Sequence, residues 1–147
     1  MKKFILSLTI IAAGFFTSCE APSSETDSTI ATEEVKTNNY FILNRNVEQL
    51  KAIGKSAGDM AAADGAQMGT FSVVVCGKAV NDLANAETMA PLMEVLNANG
   101  VNLVACGFSL KKFEVDAASL PEGVGVVPNG ITYGLELIKE GAYSITL

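Results

Sequence analysis

One segment in the second half of the chain indicates its architecture most clearly: Val101-Asn-Leu-Val-Ala-Cys106-Gly-Phe-Ser-Leu110. Valine and leucine in a short apolar run that follows Asn99-Gly100 are typical of a β-strand covered on both faces. A short helix is predicted to start directly after it, over Gly107 to Phe113. Cys106 therefore falls at the carboxyl end of a strand, where open α/β sheets place their ligands and reactive groups.

Strand and helix patterns alternate through the rest of the chain. Four further apolar segments are predicted to be strands: Tyr40 to Leu43, Phe71 to Cys76, Val124 to Val127 and Tyr143 to Leu147. Helical patterns separate most of them, and parallel strands need such crossovers, which are right-handed. The order predicts an α/β domain with a mostly parallel sheet of five strands.

Three predicted helices carry apolar side chains at helical spacing, and we expect these stripes to face the sheet. Asn46 is the predicted N-cap of the first helix, which Asp64-Gly65 ends. Asn129-Gly130 opens the last helix and Gly141 closes it. Pro91 is compatible only with the first turn of the middle helix. The stripes are Val47, Leu50, Ile53, Ala57, Met60 and Ala61; Met89, Leu92, Met93 and Leu96; and Ile131, Leu135 and Ile138.

Two segments share one pattern, an apolar strand followed by Cys-Gly, two residues and an apolar residue. They are Phe71 to Val80 and Val101 to Leu110, and they place Cys76 and Cys106 at the ends of consecutive strands. If these strands are neighbours, the two Cα atoms approach to about 5 Å, within reach of a disulfide. Cys76 is then either a resolving thiol for Cys106 or a buried residue at the end of a strand.

Residues 1–18 have the composition of an export signal. Lys2 and Lys3 supply positive charge, and Phe4 to Phe16 is an apolar run of roughly 13 residues, which suits a signal peptide and is short for a membrane span. Small residues then precede Cys19, as in bacterial lipoprotein signals, in which the cysteine is lipidated and becomes the new N-terminus. The alternative is a plain secretory signal with an incidental cysteine at this position.

Residues 19–38 are predicted to be the lipidated cysteine and a flexible acidic tether, because the segment has few large apolar groups to bury. Residues 39–147 suffice for one compact domain. With lipid on Cys19, the chain is expected to be exported and anchored to the bacterial cell envelope, at the outer membrane, facing the periplasm or the surface. Two or more acyl chains make such anchoring stable, and disulfides persist in an exported protein.

The composition excludes several classes of function. The formal net charge is −6 and no basic cluster exceeds Lys111-Lys112, so a nucleic-acid partner is not expected. The chain has no histidine, which removes the usual general base and the commonest metal ligand. Gly123-Val-Gly125 lacks the spacing of a dinucleotide-binding loop, and Met89 and Met93 are expected in the core rather than at a copper ion. We therefore expect neither a metal nor another cofactor.

Cys106 is the candidate reactive residue. At the start of a helix its sulfur meets unpaired backbone N–H groups and the positive end of the helix dipole, which favour the nucleophilic thiolate. Arg45 and Lys78 follow the first and second strands, so we expect them at the same edge of the sheet, where they would lower the pKa of this thiol further. The alternative is that Cys106 is a small buried hydrophobic residue, as most free cysteines are.

Four motifs follow one another in the second half of the chain, and Phe71 to Val80 precedes them. The motifs are Val104-Ala-Cys-Gly-Phe-Ser-Leu110, Leu120-Pro-Glu-Gly-Val124, Val126-Val-Pro-Asn-Gly130 and Glu140-Gly-Ala-Tyr143. In this order and spacing they resemble the DsrE/DsrF-like family of small sulfur-relay proteins. The resemblance implies a three-layer α/β/α sandwich on a five-stranded parallel sheet and assembly into trimers or hexamers. It also implies a persulfide on Cys106, exchanged with a sulfur donor or acceptor protein.

Two features depart from that family. Its sulfur-relay members are cytoplasmic, whereas this chain carries a predicted export signal, and Cys76 stands where relatives often have a histidine or another polar residue. Three hypotheses follow. The chain is a membrane-anchored sulfur carrier or sulfurtransferase that uses Cys106, a non-enzymatic oligomeric binding protein on the same fold, or a thiol-disulfide protein that uses Cys76 and Cys106.

Overall fold

The computed structural model describes residues 36–147. The predicted signal peptide, residues 1–18, and the predicted lipidation site Cys19 lie outside the described residues, as does most of the predicted tether. No helix within residues 36–147 is long and apolar enough to cross a membrane.

The described residues form strands and helices in alternation, joined in places by short 3-10 turns. The strands are β1 (Asn38–Asn44), β2 (Met68–Val75), β3 (Val101–Cys106), β4 (Gly125–Val127) and β5 (Tyr143–Thr146). The helices are α1 (Leu50–Asp64), α2 (Val80–Leu83), α3 (Ala86–Ala98), α4 (Gly107–Lys112) and α5 (Gly130–Lys139). The 3-10 turns span Val47–Gln49, Gly65–Gln67, Gly77–Ala79 and Ala117–Ser119.

The five strands lie in one sheet in the order β4-β3-β2-β1-β5, and every neighbouring pair is parallel. The prediction of an α/β fold with a five-stranded, mostly parallel sheet is confirmed. In the register of β2 and β3, Val75 pairs with Ala105. The residues that follow them, Cys76 and Cys106, are therefore neighbours at the carboxyl edge of the sheet.

Helices cover both faces of the sheet, so the domain has three layers. Successive residues of a strand point to opposite faces. Val73 and Leu103 pack with the apolar side chains of α1, α2 and α3 on one side. Phe41 and Val74 pack with α5 on the other side. Because both faces are covered, the central strands carry continuous apolar runs, such as Tyr40 to Leu43 in β1 and Val73 to Val75 in β2.

Asparagine side chains start α5 and the turn that leads into α1. Asn46 accepts a hydrogen bond from the N–H of Glu48 at 3.0 Å and begins the 3-10 turn before α1. Asn129 accepts one from the N–H of Ile131 at 2.9 Å at the start of α5. Asn46 is an N-cap, as the sequence predicted, and Asn129 caps the helix that was predicted to open at Asn129-Gly130.

Pro91 lies in the second turn of α3, so the prediction that it falls in the first turn is wrong. The helix starts early, at Ala86, because the Asn85 side chain accepts a hydrogen bond from the N–H of Thr88 at 3.1 Å. A proline in the second turn leaves the carbonyl of Glu87 without its helical N–H partner. Glu87 is exposed, so water can supply the missing hydrogen bond.

The predicted inward stripe of α5 is also wrong. Ile131, Leu135 and Ile138 are 59%, 57% and 42% exposed, so this face of the helix points away from the sheet. The opposite face meets the sheet and is built from small and aromatic or aliphatic residues. These are Gly130, Tyr133, Gly134 and Leu137.

Glycine explains why α5 turns its larger aliphatic face outward. A Cβ atom at Gly134 would overlap the ring of Phe41, and one at Gly130 would lie 2.5 Å from Cγ1 of Val74. The helix therefore approaches the sheet more closely than any larger side chain at these two positions permits. Hydrophobic periodicity uses the positions of apolar side chains. It therefore does not identify the glycine face of α5 as the face that packs on the sheet.

Candidate active site at the paired cysteines

The site is built around two neighbouring thiols at the carboxyl edge of the sheet. Cys76 follows β2 and Cys106 ends β3, and they are 7% and 3% exposed. Both cysteines are free, and their sulfur atoms lie within hydrogen-bonding reach of each other. Each side chain therefore affects the pKa of the other.

Two helix starts converge on Cys106. Gly107 begins α4, and the N–H of Phe108 donates to the carbonyl oxygen of Pro128 at 3.0 Å, which ties α4 to the loop before α5. A Cβ atom at Gly107 would lie 3.0 Å from the carbonyl oxygen of Val127, closer than most side chains tolerate. Glycine after the cysteine thus allows this close contact between α4 and the loop before α5.

Hydrogen-bond donors surround the sulfur of Cys106. The N–H of Gly130, the first residue of α5, donates to it at 3.3 Å. Asn129 caps the next N–H groups of α5, which leaves that of Gly130 for the sulfur. The backbone N–H and the hydroxyl of Ser109 lie close enough to this sulfur to lower its pKa. Because Oγ of Ser109 accepts from the N–H of Gly77 at 2.9 Å, the hydroxyl hydrogen is free to point at the sulfur.

These donors decide the ionisation of Cys106. Burial alone raises the pKa of a thiol, because it disfavours the charged form. The hydrogen bonds from Ser109 and Gly130, together with one from Cys76, outweigh burial and lower the pKa of Cys106 below the ordinary thiol value. Cys106 therefore ionises more readily than an ordinary thiol.

Cys76 has the opposite tendency. Burial, the nearby charge of Cys106 and the hydrogen bond to Cys106 raise the pKa of Cys76 to about 12, although Arg45 lowers it somewhat. Cys76 thus stays protonated at neutral pH and can donate its S–H to the thiolate of Cys106. Of the two, Cys106 has the lower pKa and is the candidate nucleophile.

A pocket of about 260 Å³ gives access to the thiols. Its walls combine aromatic and aliphatic side chains with two cationic ones. The lining residues are Arg45, Cys76, Gly77, Cys106, Phe108, Ser109, Lys112, Phe113, Asn129 and Ile131. Cys106 is almost fully enclosed, so the pocket admits a slender reactant to its sulfur more readily than a bulky one.

The structure brings three of the four residues singled out in the sequence to this pocket. Cys106, Cys76 and Arg45 line it, and Arg45 arrives there because Asn44 of β1 pairs with Val75 of β2. Lys78 is exposed and does not line the pocket. The second cation of the pocket belongs instead to α4.

Sequence reasoning missed three residues of the site: Lys112, Ser109 and Gly130. Lys112 had been considered only as part of a basic pair too small for nucleic acid. Ser109 stands three residues after Cys106, the position at which a side chain on the first helical turn reaches back to the residue before the helix. That spacing was the available signal for Ser109. Gly130 offers a backbone N–H, whose direction depends on how α5 docks, so no side-chain pattern identifies it.

Other features of the described residues offer less chemistry. A larger groove of about 570 Å³ lies along α1 and β5, and it is lined by residues such as Ile53, Met60 and Tyr143 without a cysteine. Within residues 36–147, no three His, Cys, Asp or Glu side chains are grouped so that they could hold a metal ion. The thiol pocket is therefore the candidate reactive site.

A family model provides the decisive comparison: the DsrE/DsrF-like family matches residues 38–147. The chain belongs to the DsrE/DsrF-like family. Its fold is similar to that of MTH1491, a protein of unknown function from Methanobacterium thermoautotrophicum, with 21% identity and a TM-score of 0.64 over 76% of this chain and 100% of that one. No curated protein matches the chain. This is the family that the motifs around Cys106 indicated, a family of sulfur-relay-like proteins.

Ser109→Ala should raise the pKa of Cys106 in this DsrE/DsrF-like domain. A hydrogen bond to a charged group is worth about 1.5–3 kcal/mol, which corresponds to an upward shift of about one to two pH units. The rate of alkylation of Cys106 by iodoacetamide, followed peptide by peptide against pH, measures the shift.

Ser119→Ala is the matched control, because Ser119 is exposed and its hydroxyl donates to the carbonyl of Asp116 outside the pocket. The control should leave the pH profile of Cys106 unchanged. An unshifted profile in Ser109→Ala would show that the hydroxyl does not stabilise the thiolate.

Proposed function

We propose that this DsrE/DsrF-like protein carries sulfane sulfur as a persulfide on Cys106. The observation that carries the proposal is the convergence of hydrogen-bond donors on the sulfur of Cys106, which lowers the pKa of a thiol that lines a pocket. Thiolate is the nucleophilic form of cysteine. Membership of a sulfur-relay-like family supports the same chemistry.

The loading step balances without a metal or an external oxidant. The thiolate of Cys106 attacks the terminal sulfane sulfur of a donor R–S–SH, and a new S–S bond forms as the old one breaks. The electron pair of the broken bond leaves on R–S⁻, which gives Cys106–S–SH and a thiol. Delivery to an acceptor thiolate is the same exchange in the opposite direction, with Cys106 as the leaving group.

Cys76 supports a second candidate function, a thiol-disulfide protein. Its sulfur lies within hydrogen-bonding reach of Cys106, and the register of β2 and β3 makes the two residues neighbours. Once Cys106 carries a persulfide, the Cys76 thiolate can attack Sγ of Cys106 and expel hydrosulfide, which leaves a Cys76–Cys106 disulfide. The high pKa of Cys76 makes this step slow at neutral pH, which favours the carrier function.

The N-terminal sequence supports a place for this chemistry outside the cytoplasm. We propose that the chain is exported, lipidated on Cys19 and anchored to the bacterial cell envelope by that lipid, with residues 20–38 as the tether. The basic start, the apolar run and the cysteine after small residues support this placement. The sulfur donor and acceptor would then be molecules or proteins of the envelope.

The exposed face of α5 supports self-association. Ile131, Leu135 and Ile138 form an aliphatic stripe at helical spacing, and all three are more than two-fifths exposed. We propose that identical copies pack through this stripe, as the trimers or hexamers of the family imply. Ile131 also lines the thiol pocket, so the interface would lie beside the site.

Sulfur loading tests the carrier function. After anaerobic incubation of the full chain with inorganic polysulfide, intact mass and peptide mapping should find one added sulfur atom on Cys106. Cys106→Ser should remove that modification, and Cys76→Ser should retain it, because Cys76 stays protonated.

Each other result of this experiment has a definite meaning. Loss of two hydrogen atoms with a Cys76–Cys106 linkage would favour the thiol-disulfide protein. An unmodified Cys106 in a folded chain would reject the persulfide proposal and leave the non-enzymatic oligomeric binding protein.

Cys19→Ser tests the anchor. The native chain should partition with membranes and carry acyl groups on its N-terminal cysteine, whereas the variant should be released, because it has no thiol to acylate. Equal membrane partition of the two chains, with no acyl group on Cys19, would favour the plain secretory signal.

Leu135→Glu tests self-association. A carboxylate in the middle of an apolar interface should weaken assembly by at least about a hundredfold, or roughly 3 kcal/mol. The molar mass in solution, measured by light scattering over a dilution series, should fall to that of the monomer. Glu136→Gln, the neighbouring exposed residue of α5, is the control. Equal oligomeric masses for all three chains would place the interface elsewhere, and a monomeric native chain would reject self-association.

A further inference from the structure

The charges around the thiol pocket differ in sign from the chain as a whole. The formal net charge of the chain is −6. The charged side chains that line the pocket are Arg45 and Lys112, both cationic, and none of the described residues that line it is acidic. The pocket is therefore a locally positive site on an acidic protein, which attracts anions and repels cations.

Arg45 and Lys112 reach the pocket from the ends of two different elements. Arg45 directly follows β1, and it is close enough to Cys76 that its positive charge lowers the pKa of that thiol. Lys112 ends α4, and its ammonium lies 5.7 Å from the centre of the Phe113 ring, which also lines the pocket. A cation–π contact of this kind favours an ammonium position over the ring.

The shape of the pocket limits what can reach the sulfur. Its volume is about 260 Å³, and Cys106 at its base is 3% exposed. Its apolar lining includes the exposed side chains of Phe108 and Ile131 and the half-buried ring of Phe113. A small molecule with a short hydrocarbon segment between its sulfur and its charge matches a pocket that combines a buried thiol, apolar side chains and exposed cations.

We propose that the sulfur donor of this site is a low-molecular-weight persulfide that carries a carboxylate, and that Arg45 and Lys112 bind that carboxylate. This rests on the proposed function of Cys106 and adds the class of its substrate. The carboxylate stays at the mouth while the S–SH end reaches Cys106. The thiolate of Cys106 takes the outer sulfur, the S–S bond of the donor breaks, and its electron pair leaves on the carboxylate-bearing thiolate, with no net oxidation or reduction.

The test compares three donors of similar size on the full chain. They are the persulfides of mercaptopropionate, which is anionic, of cysteamine, which is cationic, and of mercaptoethanol, which is neutral. Initial rates of sulfur gain on Cys106, measured by mass spectrometry, should favour the anionic donor over the cationic one by about tenfold. The preference should shrink as salt is added, because the charges at the mouth are screened.

Substitution of the cations identifies their role. Arg45→Gln and Lys112→Gln should each reduce the rate ratio of anionic to neutral donor by about three- to fivefold, as expected for partly exposed charge pairs. The ratio separates recognition from reactivity, since a change in the pKa of Cys106 alters the rates of all three donors together. Lys111→Gln is the matched control, because Lys111 is the exposed neighbour of Lys112 on α4 and does not line the pocket.

The outcomes distinguish this inference from the function on which it rests. Equal rates for the three donors, or an unchanged ratio in both Arg45→Gln and Lys112→Gln, would overturn the assignment of a carboxylate donor while Cys106 still gains sulfur. If Lys111→Gln changed the rate ratio as much as Lys112→Gln, the effect would come from overall charge. That result would also overturn the assignment. Failure of all three donors while polysulfide still loads Cys106 would overturn the assignment of a small donor, and failure of polysulfide as well would reject the persulfide function itself.

Discussion

The N–H of Gly130 reaches the sulfur of Cys106 because the start of α5 lies directly against the sheet. A Cβ atom at this position would lie 2.7 Å from the sulfur of Cys76 and 3.2 Å from Cβ of Cys106, so only glycine permits the contact. Gly134 keeps the next turn of α5 equally close to Phe41. The chemistry of the thiol therefore depends on the packing of one helix.

The same packing makes the two cysteines unequal. The parallel register of β2 and β3 places Cys76 and Cys106 side by side, and by itself it would give two similar thiols. The donors from Ser109 and Gly130 lower the pKa of Cys106. Burial and the charge of Cys106 raise the pKa of Cys76. The pKa of Cys106 is thereby lowered and that of Cys76 is raised, so the two thiols differ in how readily they ionise.

The sequence predicts most of this fold because its signals are local. Apolar runs gave the five strands, and the N-caps Asn46 and Asn129 gave two helix starts. The cysteine at the end of β3 followed from the same pattern. The sequence does not predict features that depend on the packing of elements far apart in the chain. The inward face of α5 was assigned to Ile131, Leu135 and Ile138, because the pattern could not show that glycines would carry the contact with the sheet.

The site could be predicted in part for the same reason. Cys76 and Arg45 reach the pocket because they follow strands that pair with the register expected of neighbours. Lys112 reaches it from the end of α4, a position that depends on how that helix is tied to the loop before α5. The Gly130 N–H is a backbone group with no residue-type signal. The Pro91 error arose because Asn85, a cap outside the apolar stripe, starts α3 earlier than hydrophobic spacing indicates.

The most direct measurement is the titration of each thiol by NMR, on chain labelled with carbon-13 at the cysteine Cβ atoms. The Cβ shift reports ionisation of each side chain separately, and Cys106→Ser assigns the signals. We predict that Cys106 ionises below the ordinary range of a thiol and that Cys76 stays protonated until strongly alkaline pH. A Cys106 that titrates in or above the ordinary range, or that ionises after Cys76, would contradict the central claim that the packing of α5 makes this sulfur the nucleophile.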